Sequence, residues 1–90
     1  MRTLILLTIC GTIWGQVSSG SLSGEVRDDS SGRVGGVHIV VSQDGTAFSR
    51  RAVTNNLGIY RLDELPPGAY SITAKKKGYR TLTFPGIFIG

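Results

Sequence analysis

Cysteine and histidine are almost absent from this chain. Its 90 residues include one cysteine and one histidine. Cys10 lies in an apolar run near the N-terminus, so the remainder has no thiol for a disulfide framework or a thiolate metal site. His38 has no second histidine to work with, which excludes the multi-histidine sites of zinc peptidases. We therefore expect no metal and no cofactor.

Long hydrophobic runs and a strong excess of one charge are also missing. The longest apolar stretch, Leu4–Trp14, is interrupted by threonines and Gly11. A membrane-spanning helix needs about 20 apolar residues, so no membrane span is expected in the mature part. Ten Lys and Arg against six Asp and Glu give a net charge of +4. This mild excess falls short of the basic footprint of a nucleic-acid-binding domain, so no nucleic-acid partner is expected.

The first residues are typical of an export signal. Met1–Thr3 is a short, positively charged start, and Leu4–Trp14 has the length of a signal peptide's apolar segment. We predict a signal peptide over residues 1–15, with cleavage as late as residue 20, a spacer over 16–20 and one domain over 21–90. The mature protein would then lie in the periplasm, at the outer membrane or outside the cell. Two alternatives stay open: a buried N-terminal strand or helix, and a lipoprotein signal at Cys10.

The chain from Ser21 onward alternates apolar and polar residues with frequent turns. No segment shows the helical spacing of apolar residues over three turns. Six or seven short strands separated by turn residues predict an all-β, antiparallel sandwich or small barrel. The sixth strand is expected from Tyr79 to about Phe84, and Pro85-Gly86 is expected to separate it from a seventh that begins at Ile87. A chain this small has no deep cleft between domains.

Three motifs stand out among the turns. They are Asn55-Asn56-Leu57-Gly58-Ile59-Tyr60, Leu65-Pro66-Pro67-Gly68-Ala69-Tyr70 and Lys77-Gly78-Tyr79. In this order, the set resembles the signature of carboxypeptidase regulatory-like domains, and the resemblance covers roughly residues 21–89. One departure is Gly35, where that family often has proline.

The resemblance implies a prealbumin-like, seven-stranded sandwich, grouped with carbohydrate-binding-like folds, that carries no catalytic residues. It is similar to the domain that follows the signal peptide of bacterial TonB-dependent outer-membrane receptors. We therefore expect an exported, non-catalytic structural or docking module, which is either the N-terminal extension of a TonB-dependent receptor-type envelope protein or a stand-alone copy of such an extension. Its partner would be a larger envelope protein or the remainder of a longer chain. The alternative is a small carbohydrate-binding protein of the cell envelope, which predicts an exposed aromatic pair.

The motif residues are expected to be architectural. Both Tyr60 and Tyr70 are predicted to bury their rings and to place each hydroxyl near a backbone partner, and Leu65 is predicted to close one end of the core. Gly58 supplies a turn conformation that a side chain would hinder. The full set of structural motif residues is Gly58, Tyr60, Leu65, Pro66, Pro67, Gly68, Tyr70, Gly78 and Tyr79.

Catalytic and metal sites are not expected. Alternation places His38 on the outer face of its strand, and no serine lies in the strand-turn-helix elbow of a catalytic nucleophile. Asp28–Gly32 has the composition of a turn rather than of a calcium loop, because position twelve of such a loop would be Ile39 instead of a glutamate.

One dense charge cluster is a candidate ligand or partner surface. It consists of Lys75, Lys76, Lys77 and Arg80. Lysines at a strand end also protect an edge strand against aggregation, and this interpretation is preferred. The alternative is a surface for anionic glycans or for the phosphates of an outer leaflet.

Overall fold

The alternating pattern folds into strands throughout. The computed structural model describes residues 4–10, by backbone and pairing alone, and residues 20–90. Within these ranges no helix is long and apolar enough to cross a membrane. The strands are β1 (Leu4–Cys10), β2 (Gly20–Asp28), β3 (His38–Gln43), β4 (Ser49–Val53), β5 (Ile59–Leu65), β6 (Gly68–Lys75) and β7 (Leu82–Ile89).

Two antiparallel sheets make up the fold. One has three strands in the order β1-β2-β5, and the other has four in the order β4-β3-β6-β7. The apolar faces of the two sheets pack against each other, because each strand presents one apolar and one polar face. The prediction of an antiparallel β-sandwich is confirmed.

The core lies between the sheets and takes residues from both. Tyr60 and Tyr70 are its largest side chains, and both are buried, as the alternation predicts. The buried apolar residues are Leu22, Val26, Val34, Val37, Ile39, Val41, Tyr60, Leu62, Leu65, Tyr70, Ile72, Ala74 and Ile89.

The end of the chain differs from the sequence prediction. The prediction of two strands separated by Pro85-Gly86 is wrong, because β7 continues through both residues as one edge strand. On β6, Tyr70 and Ile72 pair with Ile87 and Phe84, so β7 has one residue more than its partner at this point. Such a β-bulge on an edge strand accommodates proline, since no ladder N–H is needed there.

A second bulge sets the position of Leu65. Leu22 pairs with Leu62 and Gly20 with Leu65, so β5 also carries one extra residue. Glu64 takes up the irregularity with a φ of 57°. The bulge shifts the alternation, and both Leu62 and Leu65 therefore face the core. Leu65 is fully buried, in agreement with its predicted place in the core.

Strand β1 overlaps the predicted signal peptide. It pairs antiparallel with β2, from Leu4 opposite Asp28 to Cys10 opposite Leu22. In the full chain these residues form one edge of the three-stranded sheet. Cleavage concerns the processed protein and stays a prediction; the residues around the expected cleavage site, 11–19, lie outside the described part of the chain.

Candidate functional site

The first motif folds into a turn that is held by its own side chain. Asn55 Oδ1 accepts hydrogen bonds from the backbone N–H groups of Leu57 (2.8 Å) and Ile59 (3.1 Å). The backbone N–H of Gly58 donates to the carbonyl oxygen of Asn55 at 2.8 Å. Asparagine commonly closes a turn in this way, because its short side chain imitates a backbone carbonyl.

Gly58 is needed in this turn for two reasons. Its φ is +76°, and a Cβ at this position would lie 2.5 Å from the carbonyl oxygen of Val26 and 3.2 Å from the backbone nitrogen of Val34. The close approach permits a hydrogen bond of 2.7 Å from the Val26 N–H to the Gly58 carbonyl oxygen. Gly58 thus joins the turn to the start of the domain.

The second motif is a rigid connector between β5 and β6. Pro66 and Pro67 fix the backbone between the strands, and Gly68 follows with a φ of +151°. The Tyr70 hydroxyl donates a hydrogen bond to the carbonyl oxygen of Pro66 at 2.5 Å. Phe48 packs edge-on against the Tyr70 ring, with centroids 6.3 Å apart. The connector is therefore anchored to the core by the tyrosine that follows it.

The third motif closes the turn between β6 and β7. Gly78 has a φ of +88°, and the Tyr79 N–H donates to the Lys76 carbonyl oxygen at 3.0 Å. The Tyr79 ring is half-buried against the core, and Lys76 Nζ lies 5.9 Å from its centroid. Tyr79 is therefore not a free aromatic platform for a sugar.

The basic cluster divides into structural and exposed members. Lys76 is half-buried, and its Nζ donates to the carbonyl oxygen of Gly35 at 2.6 Å. This contact ties the β6–β7 turn to the β2–β3 loop. The other members, Lys75, Lys77 and Arg80, are exposed. Lys76 thus has a structural contact within the domain, and its part in a ligand or partner surface stays a prediction.

The candidate catalytic and metal-binding side chains either lie apart from one another or are hydrogen-bonded within turns. His38 lies exposed on β3, and among the described residues no group of three His, Cys, Asp or Glu could hold a metal ion. The carboxylate of Asp28 accepts hydrogen bonds from the backbone of Ser30 (2.9 Å) and Gly32 (2.8 Å). These bonds are those of a turn closed by its first residue, as the composition of this segment predicts.

One family model covers all three motifs and the strands between them. The sequence model of the carboxypeptidase regulatory-like domain family matches residues 21–90. This chain belongs to that family. No curated protein and no solved structure matched it. The matched region contains strands β2 to β7 except for Gly20, the first residue of β2. Domains of this family are non-catalytic.

Thr54, the most deeply buried polar residue of the regulatory-like domain, was not predicted from the sequence. Thr54 is buried directly after β4. Its hydroxyl donates to the carbonyl oxygen of Val34 at 2.8 Å and accepts from the N–H of Val37 at 2.9 Å. Its backbone carbonyl also accepts from the Gly36 N–H at 2.9 Å. A threonine at the end of a strand carries no signal for such a role, because its partners lie in a loop about 20 residues away.

Proposed function

We propose that this regulatory-like domain is an exported, non-catalytic module that serves as a structural or docking element of a larger envelope protein, of the TonB-dependent receptor type. The observation that carries the proposal is the position of the domain. The family match begins at residue 21, directly after the predicted signal peptide and spacer. After removal of the signal peptide, a domain in this position forms the N-terminal part of the exported protein.

The polar side chains of the domain support an architectural role. Asp28, Thr54, Asn55 and Tyr70 each bond to backbone groups of loops and turns. Among the described residues, no buried side-chain nitrogen or oxygen lacks a hydrogen-bond partner. A buried polar group without a partner can indicate a catalytic role, whereas these bonds stabilise the loops and turns of the domain.

Export is tested with a pair of matched variants. Leu7→Arg places a charge in the apolar run that a signal peptide needs. Leu57→Arg makes the same change on an exposed side chain of the domain. We expect the Leu7→Arg protein to stay unprocessed in the cytoplasm and the Leu57→Arg protein to be exported and shortened like the parent. A full-length parent protein recovered from the cytoplasm would contradict export.

Docking is tested by asking what the exported domain is attached to. An antibody against residues 21–84 is used on envelope fractions before and after chemical cross-linking. We expect the domain within, or cross-linked to, a much larger outer-membrane protein. A short protein that stays soluble and uncross-linked would argue against docking, and it would favour a free-standing binding protein.

The aromatic pair expected of a small carbohydrate-binding protein is not formed on β7. Phe84 pairs with Ile72, whose side chain faces the core, whereas Phe88 pairs with Ala69 on the opposite face. The exposed fractions of Phe84 and Phe88 are 38% and 74%. Two rings on opposite faces of an edge strand do not make one platform, so a stacked neutral sugar is not favoured at this position.

A further inference from the structure

Charge is divided unequally between the two sheets of the domain. Strands β3, β4, β6 and β7 contain no aspartate or glutamate. In β2 and β5 there are four such residues, and Arg27 and Arg61 form ion pairs with Glu25 (2.5 Å) and Asp63 (2.9 Å). The cations of the four-stranded sheet are Arg50, Arg51 and Lys75, and no ion pair to a carboxylate is found for them among the described residues.

The strand register brings two of these cations onto one open face. On this outer face of the four-stranded sheet, Val40 pairs with Arg51 on one side and with Thr73 on the other. In the next row, His38 lies between Val53 and Lys75. Arg50 does not belong to this face, because it pairs with Val41, whose side chain is buried in the core. Its guanidinium lies 4.7 Å from the centroid of the Phe48 ring.

A shallow depression lies between these rows. It has a volume of about 260 Å³ and runs between β3 and β4. Its outer-face lining consists of His38, Val40, Arg51 and Val53. Val40 and Val53 are its apolar side chains, and Arg51 is its cation. Lys75 lies beside it, as the cross-strand neighbour of His38.

The rest of the outer face is rich in hydroxyl groups. Ser42 pairs with Ser49 and with Ser71, and the hydroxyl oxygens of the paired Thr73 and Thr83 lie 3.4 Å apart. The Ser71 hydroxyl donates to the Asp44 carboxylate at 3.4 Å, at the end of β3 away from Arg51 and Lys75. Hydroxyls donate and accept hydrogen bonds, as the hydroxyl groups of a sugar do. Cations on an apolar and hydroxylated surface suit a ligand that is both hydroxylated and anionic.

Other polyanions fit this face less well. Single-stranded nucleic acid binds by stacking successive bases on aromatic side chains, and the outer face of the four-stranded sheet has one such side chain, Phe88 of β7. A lipid surface favours large apolar side chains such as Trp, Phe and Leu beside the cations, whereas the depression beside Arg51 offers only Val40 and Val53. Phe88 is the most exposed large apolar side chain of the described residues. It pairs with Ala69 near the start of β6, whereas Lys75 lies at the other end of that strand.

We propose that the outer face of the four-stranded sheet binds an acidic polysaccharide. The carboxylates of its uronic acid units contact Arg51 and Lys75, and a sugar ring lies over the depression against Val40 and Val53. The choice of a cell-surface glycan over an intracellular polyanion rests on the proposed export. The cationic surface itself belongs to the folded domain and can be measured wherever the protein resides.

Binding to polygalacturonate tests this proposal on the purified protein. The double variant Arg51→Gln/Lys75→Gln removes both cations of the outer face. The matched control Arg27→Gln/Arg61→Gln makes the same change of net charge on the other sheet. We expect the first variant to bind about tenfold more weakly, since it loses charge-assisted contacts, and the control to bind like the parent. Neutral dextran should not bind, and Arg51→Lys/Lys75→Arg should retain most of the affinity.

Three outcomes would overturn the proposal. Equal losses in both double variants would mean that net charge, rather than this face, attracts the polymer. No binding of polygalacturonate at low salt would exclude the ligand class. Binding to vesicles containing phosphatidylglycerol without binding to polygalacturonate would assign the face to a membrane. None of these outcomes bears on the Leu7→Arg export test, so failures of the two proposals are distinguishable.

Discussion

The Tyr70 hydroxyl donates a hydrogen bond of 2.5 Å to the carbonyl oxygen of Pro66, four residues earlier in the chain. Proline has no N–H to donate, but its carbonyl still needs a partner when it is shielded from water. Tyr70 provides that partner from inside the core. The bond explains why this motif carries a tyrosine, instead of any large apolar residue, at a fixed distance from the prolines.

Removing this hydroxyl should weaken the domain by a small, measurable amount. Tyr70→Phe leaves the ring packed but the Pro66 carbonyl without its bond, and we expect a loss of about 1 kcal/mol in the free energy of unfolding. Tyr70→Ala also removes a buried ring and should lose about 3–5 kcal/mol. Urea denaturation measures both. Tyr79→Phe, at a half-buried ring, is the control and should leave stability unchanged; equal losses at Tyr70 and Tyr79 would contradict the assignment.

The same hydroxyl should make the domain sensitive to alkaline pH. Burial raises the pKa of Tyr70 above its ordinary value of 10.0, and the nearby Arg50 cation partly opposes this shift. The unfolded chain therefore releases this proton at a lower pH than the folded domain does. The stabilisation is complete below about pH 10 and is lost as the pH rises through the folded pKa. The free energy of unfolding, obtained from denaturation curves at pH values from about 8.5 to about 11, should fall less steeply with rising pH for Tyr70→Phe than for the parent. Parallel slopes would show that other groups cause the decline.

Gly58 and Gly45 separate backbone conformation from steric contact. Their φ angles are nearly equal, +76° and +75°, but nothing lies within 4 Å of a Cβ at Gly45. Gly45→Ala should destabilise by about 1–2 kcal/mol, through conformation alone. Gly58→Ala should destabilise clearly more, because its Cβ would also meet the backbone of Val26. Thermal and urea unfolding of both variants provide the comparison. Similar losses would mean that the turn moves aside without cost.

The sequence predicted the parts of the fold that depend on local pattern. Alternation identified the inward faces of the strands, and glycine and asparagine marked the turns, since these features are properties of adjacent residues. The continuity of β7 was missed because a bulge is defined by its partner strand. The role of Lys76 was also missed: four nearby basic residues look alike in sequence, and only the folded chain brings the Gly35 carbonyl to one of them.

Thr54 should be the most sensitive polar position outside the motifs. Thr54→Val keeps the shape but removes the bonds to the Val34 carbonyl and the Val37 N–H. Each buried group left without a partner costs about 1–3 kcal/mol, so a loss of at least about 2 kcal/mol is expected in urea denaturation. Thr81→Val, at an exposed loop position, should have no effect. A stable Thr54→Val protein would mean that the loop finds other partners.

The same substitution should lower stability at Lys76 but not at Lys77. Lys76→Met removes a 2.6 Å hydrogen bond to the Gly35 carbonyl and should lower the free energy of unfolding by about 1–2 kcal/mol. Lys77→Met, at the next residue, changes an exposed side chain and should leave stability within about 0.5 kcal/mol of the parent. Since both substitutions remove one positive charge, polygalacturonate binding shows whether either lysine also contacts the ligand. Equal stability of the two variants would mean that the bond from Lys76 to the β2–β3 loop contributes nothing to stability. Lys76 would then have no structural role that distinguishes it from the exposed basic residues.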